Sequence, residues 1–149
     1  MKISFTLNGG VVDADIEPDT LLVDMIRGWG LTGTKEACGV GVCGLCTVLV
    51  NDLPVSSCLY LAACAAGADL WTVEGLARDD PGLVTAFAEQ EGMQCGICTP
   101  GQVVAAAALA REQPAATDAD IREYMSGNLC RCTGYQTIAA SVRAYLDAR

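Results

Sequence analysis

The residues of this chain that are best suited to chemistry are cysteines gathered in three short-spaced groups. The groups are Cys38, Cys43 and Cys46; Cys95 and Cys98; and Cys130 and Cys132. The chain has nine cysteines in all and no histidine. An odd number of cysteines in such groups is typical of metal binding in a reducing compartment, not of a secreted disulfide scaffold. The lack of histidine excludes a Rieske centre, a Cys/His zinc finger and histidine acid–base catalysis, so thiolates must bind the metal.

The first group has the Cys-x4-Cys-x2-Cys spacing of plant-type 2Fe–2S ferredoxins, in which the fourth ligand comes later in the chain. A cluster of ferric ions, sulfides and thiolates carries net negative charge, and burying that charge requires many hydrogen-bond donors. Gly39, Gly41 and Gly44 suit this need because glycine accepts positive φ angles, which lets backbone N–H groups turn towards sulfur. Zinc is the alternative metal, but structural zinc sites favour paired Cys-x2-Cys knuckles.

Two later cysteines, Cys58 and Cys64, compete for the place of the fourth ligand. A strand after Cys46, a turn at Asn51-Asp52 and a returning strand would bring the chain back beside its start, which favours Cys58. Cys64 lies further along the chain. Because free cysteine is among the most buried residue types, we predict that Cys64 is a thiol of the core.

The second and third groups supply four more thiolates. The segment 99–129 between them is predicted to form a helical hairpin, which would bring the two groups together. Thr99-Pro100 resembles an N-cap followed by proline at the first helical position, so that Cys98 would lie at a helix N-terminus. A helix is also predicted after Cys132, and both positive helix ends would stabilise thiolates. The alternative for Cys-x2-Cys alone is a redox dithiol.

The hydrophobic pattern divides the chain into a β-rich first half and a helical second half. Strand patterns cover 2–7 and 11–16 around Asn8-Gly9-Gly10, 47–50 and 53–57 around Asn51-Asp52, and 68–73, and a helix is predicted from Asp19-Thr20 to about Gly28. Helical patterns cover 81–91, 100–112, 118–126 and 136–148. These patterns predict a small mixed sheet packed on one helix, followed by a compact bundle of four helices. The polar segment 74–80 is predicted to be the boundary between the two domains.

Composition and charge exclude several other classes of protein. The chain is 52% hydrophobic with a net charge of −9, which argues against a nucleic-acid partner because phosphate binding needs clustered basic residues. No stretch approaches the ~20 apolar residues of a membrane span, and the alanine-rich run 103–110 is predicted to be a buried helix. The first residues reach Asn8-Gly9-Gly10 too early for the hydrophobic region of a secretory signal. We therefore expect a cytoplasmic protein without a membrane span.

Four motifs follow one another along the chain. They are Gly33-Thr34-Lys35-Glu36, the loop 38–46, Gln94-Cys95-Gly96-Ile97-Cys98-Thr99-Pro100-Gly101 and Gly127-Asn128-Leu129-Cys130-Arg131-Cys132-Thr133-Gly134-Tyr135. In this order they resemble the small iron–sulfur subunit of the molybdenum hydroxylases, the family of xanthine oxidase, carbon monoxide dehydrogenase and aldehyde oxidoreductase. The resemblance covers essentially the whole chain. It implies an α+β fold, with an N-terminal β-grasp, plant-type ferredoxin domain over 1–75 and a C-terminal four-helix-bundle, 2Fe–2S-binding domain over 76–149.

The resemblance also implies which residues bind the cofactors. Cys38, Cys43, Cys46 and Cys58 would bind an outer 2Fe–2S cluster, and Cys95, Cys98, Cys130 and Cys132 would bind a second one nearer to molybdenum. Gln94 would hydrogen-bond the molybdopterin of a separate large subunit. Arg131 is either a phosphate contact or an ordinary surface residue. Two positions depart from the family pattern: Ala37 replaces a glycine, and Leu45 replaces a small residue and is expected to reshape the surface over the outer cluster.

The function implied by the resemblance is electron transfer in a hetero-oligomeric oxidoreductase complex. Electrons from substrate oxidation at molybdenum would pass through the second cluster and then the outer one to FAD on a medium subunit, or to another acceptor. We predict no catalytic residue in this chain, since it has no histidine and no dinucleotide-binding glycine fingerprint. The alternatives are a free-standing ferredoxin-like carrier and a zinc-binding interaction module.

Overall fold

The N-terminal half of the chain is a five-stranded sheet made from two hairpins and one short closing strand. The computed structural model describes all residues from Met1 to Arg149. The strands are β1 (Lys2–Leu7), β2 (Gly10–Asp15), β3 (Thr47–Val50), β4 (Leu53–Ser56) and β5 (Asp69–Trp71), in the order β2-β1-β5-β3-β4. The β1–β5 pair is parallel and the other pairs are antiparallel. The mixed sheet predicted from the sequence is therefore confirmed.

Both hairpins turn on residues with left-handed backbone. Asn8 and Gly9 have φ angles of +51° and +85°, and Asn51 and Asp52 have φ angles of +50° and +65°. Positive φ at both central residues is typical of the type I′ turn, which matches the twist of the flanking strands. Asparagine, aspartate and glycine tolerate this conformation, and the hairpins therefore form where the sequence predicts them.

Six α-helices and one 3-10 turn (Ala62–Ala65) complete the fold. The helices are α1 (Leu22–Gly28), α2 (Val73–Asp79), α3 (Pro81–Glu89), α4 (Thr99–Glu112), α5 (Asp118–Met125) and α6 (Gln136–Asp147). Residues 101–110 of α4 are all buried, as the alanine-rich run predicts, and α4 packs against the other four helices of this half and against β3. The α+β fold class is confirmed. None of the helices is long and apolar enough to cross a membrane.

The α1 helix covers the sheet, and three of its four buried side chains, Leu22, Met25 and Ile26, join those of the strands in one apolar core. It begins at Leu22, after the predicted start at Asp19-Thr20. The N–H groups of Leu22 and Val23 donate to the carbonyls of Tyr60 and Ser57. A segment distant in sequence thus supplies the partners that a local N-cap was predicted to provide.

The short α2 helix is not predicted from the sequence, which indicates only a polar boundary at 74–80. Gly75 and Leu76 are buried, and Leu76 joins the apolar core of the second half. The Asn8 carboxamide holds the helix start, because it donates to Thr72 Oγ1 over 3.0 Å and accepts from the Thr72 N–H over 2.8 Å. The helix therefore depends on a contact between the two halves. The other four helices of this half are those predicted, with ends that differ by no more than two residues.

Gly75→Ala is expected to destabilise the protein. A Cβ at Gly75 would collide with the side chain of Asn8, lying 2.7 Å from the Asn8 Cβ. Overpacking of this kind costs about 1–3 kcal/mol, so the melting temperature should fall. Gly28→Ala is the matched control, because Gly28 also lies in a helix and no atom is within 4 Å of the added Cβ. Equal melting of the two variants by circular dichroism would contradict this packing of α2.

Candidate metal centres

The loop that carries the first cysteine group is built on three glycines with left-handed backbone. Gly39, Gly41 and Gly44 have φ angles of +64°, +74° and +70°, which confirms the predicted use of glycine here. The loop turns N–H groups towards sulfur, and the Val40 nitrogen lies 3.5 Å from Cys38 Sγ. Such hydrogen bonds stabilise a negatively charged sulfur.

The β3–β4 hairpin brings Cys58 to this loop. The Ser57 hydroxyl donates to the Cys46 carbonyl over 2.6 Å, and Cys46 and Cys58 pack together in one small buried cluster. Cys38 is half-buried and the other three cysteines are buried. We call this set of four cysteines the first site.

Cys64 is exposed, and the prediction that it is a buried core thiol is wrong. The 3-10 turn that carries it buries Ala62 and Ala65, so Cys64 falls on the outer side of the turn. Tyr60 donates its hydroxyl to the Cys64 carbonyl over 3.1 Å. This bond involves the backbone of Cys64 and leaves the thiol in solvent.

The thiols of the first site differ in how readily they ionise. Hydrogen bonds from the backbone N–H groups of Val40 and Cys43 lower the pKa of Cys38 to about 6. Burial, and next the hydrogen bond with the Cys46 thiol, raise the pKa of Cys58 to about 11. A buried thiolate is costly without a cation, and metal binding at such a thiol releases its proton. This combination fits a site that is completed by metal.

The second and third cysteine groups meet at one end of the α4–α5 helix pair. The Sγ atoms of Cys95 and Cys132 lie 3.4 Å apart, and all four thiols line one cavity of about 580 Å³. Cys98 is buried, Cys130 is half-buried, and Cys95 and Cys132 are exposed. The structure therefore brings the two groups together, as the predicted helical hairpin requires. We call this set of four cysteines the second site.

A helix N-terminus lies at the second site, one residue away from its predicted place. Cys98 itself is the N-cap residue of α4, whereas the sequence predicts Thr99 at the cap. The Cys98 carbonyl accepts from the Gln102 N–H over 3.0 Å. The positive end of the α4 dipole favours a thiolate here, but burial outweighs it and raises the pKa of Cys98 to about 12.

Thr133 and Tyr135 support the second site, and sequence reasoning gives them no role. Thr133 Oγ1 donates to Cys130 Sγ over 3.2 Å and accepts from the Tyr135 N–H over 3.0 Å. The Tyr135 hydroxyl accepts from the Cys130 N–H over 3.1 Å. Burial raises the pKa of Cys130, but hydrogen bonds from Thr133 and Cys132 outweigh it and lower the pKa overall. Both residues lie in the last of the four motifs. Their place beside Cys130 and Cys132 in that motif is the one sequence signal that could have indicated a role at the second site.

Leu45 lies between the two sites. Its side chain is 8% exposed and forms one apolar cluster with Cys43 of the first site and Cys98 of the second, against which Cys38 and Cys130 also pack. The prediction that Leu45 reshapes the surface over the first site is therefore wrong. Its branched side chain instead packs between Cys43 and Cys98 and lines the cavity of the second site.

Gln94 and Arg131, the two polar residues singled out in the motifs, are both exposed. Gln94 adjoins the exposed Cys95, and Arg131 lines the cavity of the second site. Ala37, the other departure from the family pattern, is exposed next to Cys38. All three residues are therefore accessible to a partner chain.

Two sets of four thiols, each with its own donors to sulfur, fit a pair of 2Fe–2S clusters. No group of three or more Cys, Asp or Glu side chains surrounds one point closely enough to hold a single metal ion. A 2Fe–2S cluster instead spreads four cysteine thiolates over two irons. The N–H donor to Cys38 and the hydroxyl donor to Cys130 provide the hydrogen bonds that charged cluster sulfurs need.

Comparisons with known proteins agree with these two sites. Residues 5–77 match the family described as the 2Fe-2S iron-sulfur cluster binding domain, and residues 72–143 match the 2Fe-2S binding domain family. The xanthine dehydrogenase iron-sulfur-binding subunit of Escherichia coli is 43% identical over 147 residues, which are 95% of this chain and 92% of that protein. The structure of quinoline 2-oxidoreductase from Pseudomonas putida 86 matches with 44% identity and a TM-score of 0.93, over 99% of this chain and 94% of that chain.

The aldehyde oxidoreductase from Desulfovibrio gigas matches 99% of this chain with 31% identity and a TM-score of 0.94, but the match spans only 17% of that longer chain. The resemblance seen in the motifs is thus confirmed over the full length. The chain belongs to the iron–sulfur subunits of the xanthine dehydrogenase and aldehyde oxidoreductase family, and its two domains are 2Fe–2S-binding domains.

Proposed function

We propose that this chain is the electron-transfer subunit of a molybdopterin-dependent hydroxylase or dehydrogenase complex. The observation that carries the proposal is that the two sets of four thiols meet at one buried residue, Leu45, which packs with Cys43 of one set and Cys98 of the other. When bound, 2Fe–2S clusters supply one-electron chemistry at each site. The role of this chain is to hold the two sites in place and to keep water away from the Leu45 side chain between them.

The proposed ligands are the thiols that lie together in each site. Cys38, Cys43, Cys46 and Cys58 hold one cluster, and Cys95, Cys98, Cys130 and Cys132 hold the other. The hydrogen bonds to sulfur from Val40 at the first site and from Thr133 at the second support this assignment. The two domains are proposed as 1–75 and 76–149, a boundary that lies inside α2, which packs on α3 and α4 of the second half.

The surface around the second site supports a large partner subunit that carries molybdopterin. Cys95 and Cys132 are exposed. Three apolar side chains that line the same cavity are 54%, 49% and 41% exposed: Ile97, Leu129 and Tyr135. Exposed apolar side chains grouped around a cavity are typical of a surface that another chain covers. Gln94, which adjoins Cys95, is proposed to hydrogen-bond the molybdopterin.

The first site has an apolar rim of its own. Val40, Val42 and Leu59 are 65%, 64% and 61% exposed. We assign this rim to the electron acceptor, which is a medium subunit with FAD or another redox protein. Electrons would then enter at the second site and leave at the first.

The relatives support a hetero-oligomer. The Escherichia coli relative is named as an iron-sulfur-binding subunit, and in the Desulfovibrio gigas enzyme the matching region is a small part of one longer chain. A cytoplasmic location is proposed because all nine cysteines are free and thiols stay reduced there.

The proposal is tested by purifying the complex from its own cells. We expect a large molybdenum-containing subunit to co-purify with the chain, and about four irons per chain.

Leu129→Glu should abolish this co-purification without lowering the iron content, because it places a charge in the apolar rim of the second site. Val11→Glu is the matched control, since Val11 is 80% exposed on β2, and it should keep the partner. A chain that migrates alone would indicate a free-standing carrier, and a colourless protein with zinc would indicate an interaction module.

Cys58→Ser is expected to remove or alter the EPR signal of one cluster and leave the other intact. The reason is that Cys58 is buried beside Cys46, whereas Cys64 is exposed. Cys64→Ser, the matched control, should therefore leave both signals and the iron content unchanged. The opposite pattern would show that Cys64 is the fourth ligand of the first site.

Leu45→Ala is expected to raise the reduction potentials of both clusters. The smaller side chain admits water between the two sites, and water dipoles stabilise the additional negative charge of the reduced clusters, whose potentials depend on solvent exposure. Val42→Ala is the control, because Val42 lies in the same loop but is 64% exposed already. The measurement is a redox titration followed by EPR. If the reduction potential of only one cluster shifted in Leu45→Ala, Leu45 would not shield both clusters from water.

A further inference from the structure

Asn128 joins the two cysteine-bearing loops through a buried amide. Its Nδ2 donates to the Gly44 carbonyl over 2.7 Å and to Thr47 Oγ1 over 3.1 Å, and the residue is 6% exposed. Gly44 is next to Cys43 of the first site, and Asn128 is two residues before Cys130 of the second. One side chain therefore ties the loop of one site to the loop of the other.

Three groups form a closed set of hydrogen bonds at this junction. Besides the two bonds from Asn128, the Thr47 hydroxyl donates to the same Gly44 carbonyl over 2.6 Å. The amide of asparagine suits the position because it donates to both neighbours at once, whereas the carboxylate of aspartate would face the Gly44 carbonyl without a hydrogen. Buried polar groups that satisfy one another in this way favour one fixed arrangement.

Backbone contacts hold the same junction. The Leu129 N–H donates to the Cys43 carbonyl over 2.8 Å. The buried Gln102 donates its Nε2 to the Asn128 carbonyl over 2.7 Å, which fixes Asn128 to α4. A Cβ on Gly44 would lie 2.8 Å from the Asn128 Cα. The two loops therefore touch so closely that a small movement at Asn128 moves both.

Other links between the halves lie elsewhere in the fold, among them the Gly33 N–H, which donates to the Glu74 carboxylate over 2.8 Å. Asn8 bonds Thr72 at the start of α2, and Asp52 pairs with Arg111 at the end of α4 remote from Cys98. Without the Asn128 amide, these links and the Leu129–Cys43 backbone bond would keep the halves attached, but no side-chain hydrogen bond would tie the Gly44 turn to the loop of the second site.

We infer that Asn128 is a positioning residue that sets the distance and orientation between the two clusters. The inference rests on the proposed function, because it needs a cluster at each site. The Asn128 amide donates to Gly44 and Thr47 and to no sulfur atom, so it acts through the neighbours of the ligands. Electron tunnelling weakens steeply with distance, and a relay through two clusters therefore requires a fixed separation.

The test uses the purified complex with both clusters reduced, so that each cluster is paramagnetic. Dipolar coupling between two spins falls with the cube of their separation, and the splitting of the EPR lines therefore reports the spacing. The wild type should contain about four irons per chain and show this splitting. Fewer irons in the wild type would contradict the proposed function. Full iron content with unsplit lines would overturn only the present inference.

Asn128→Ala should keep the wild-type iron content and lose or blur the splitting, because the loops no longer hold one separation. Asn8→Ala is the matched control: it removes an amide that also makes two hydrogen bonds between the halves. It should lower the melting temperature and keep the wild-type splitting. An unchanged splitting in Asn128→Ala, or an equal loss in Asn8→Ala, would overturn the inference.

Thr47→Val is the second test variant, used if the Asn128→Ala protein does not assemble into the complex. It keeps the volume of the side chain, removes one acceptor of Asn128, and should also blur the splitting while retaining both clusters. An unchanged splitting in Thr47→Val would count against the inference. Loss of a cluster from this variant would also overturn it, because the junction would then serve cluster assembly and not cluster spacing.

Discussion

The constraint on which this structure depends is the concentration of negative charge that its thiolates create. The chain carries a net charge of −9 before any cysteine ionises, and eight of the nine cysteines are gathered into two small sites. Sulfur anions that lose their water need donors or cations in its place. The loops around the thiols are therefore shaped to present N–H and O–H groups, and the sheet and helices hold those loops.

The two halves meet this constraint by different means. The first site uses a loop whose left-handed glycines aim backbone N–H groups at sulfur, and three of its thiols are buried. The second site uses a helix N-terminus at Cys98 and the Thr133 hydroxyl, and two of its thiols face solvent. The difference in exposure means that the second site depends more on a covering partner for its electrostatic environment.

Local sequence signals account for the hairpins, four of the five helices of the second half and the grouping of the thiols. Turn residues such as Asn8-Gly9 act on their own neighbours, and cysteine spacing restricts the ligand sets directly. The α2 helix, the exposure of Cys64, the burial of Leu45 and the role of Thr133 could not be predicted in this way. Each depends on a contact or an orientation that arises only after distant segments have packed, as when Asn8 reaches Thr72.

The close approach of the two loops limits which domains can be exchanged between this protein and its relatives. A Cβ on Gly101 would collide with the Gly44 carbonyl and lie 3.2 Å from the Leu45 Cα, so the helical domain accepts only a partner loop of this shape. A ferredoxin domain grafted from another protein would need glycine at position 44, where a Cβ would lie 2.8 Å from the Asn128 Cα, and a backbone that follows the same course. The two domains are therefore a single exchangeable module, and recombination between relatives should preserve the pair.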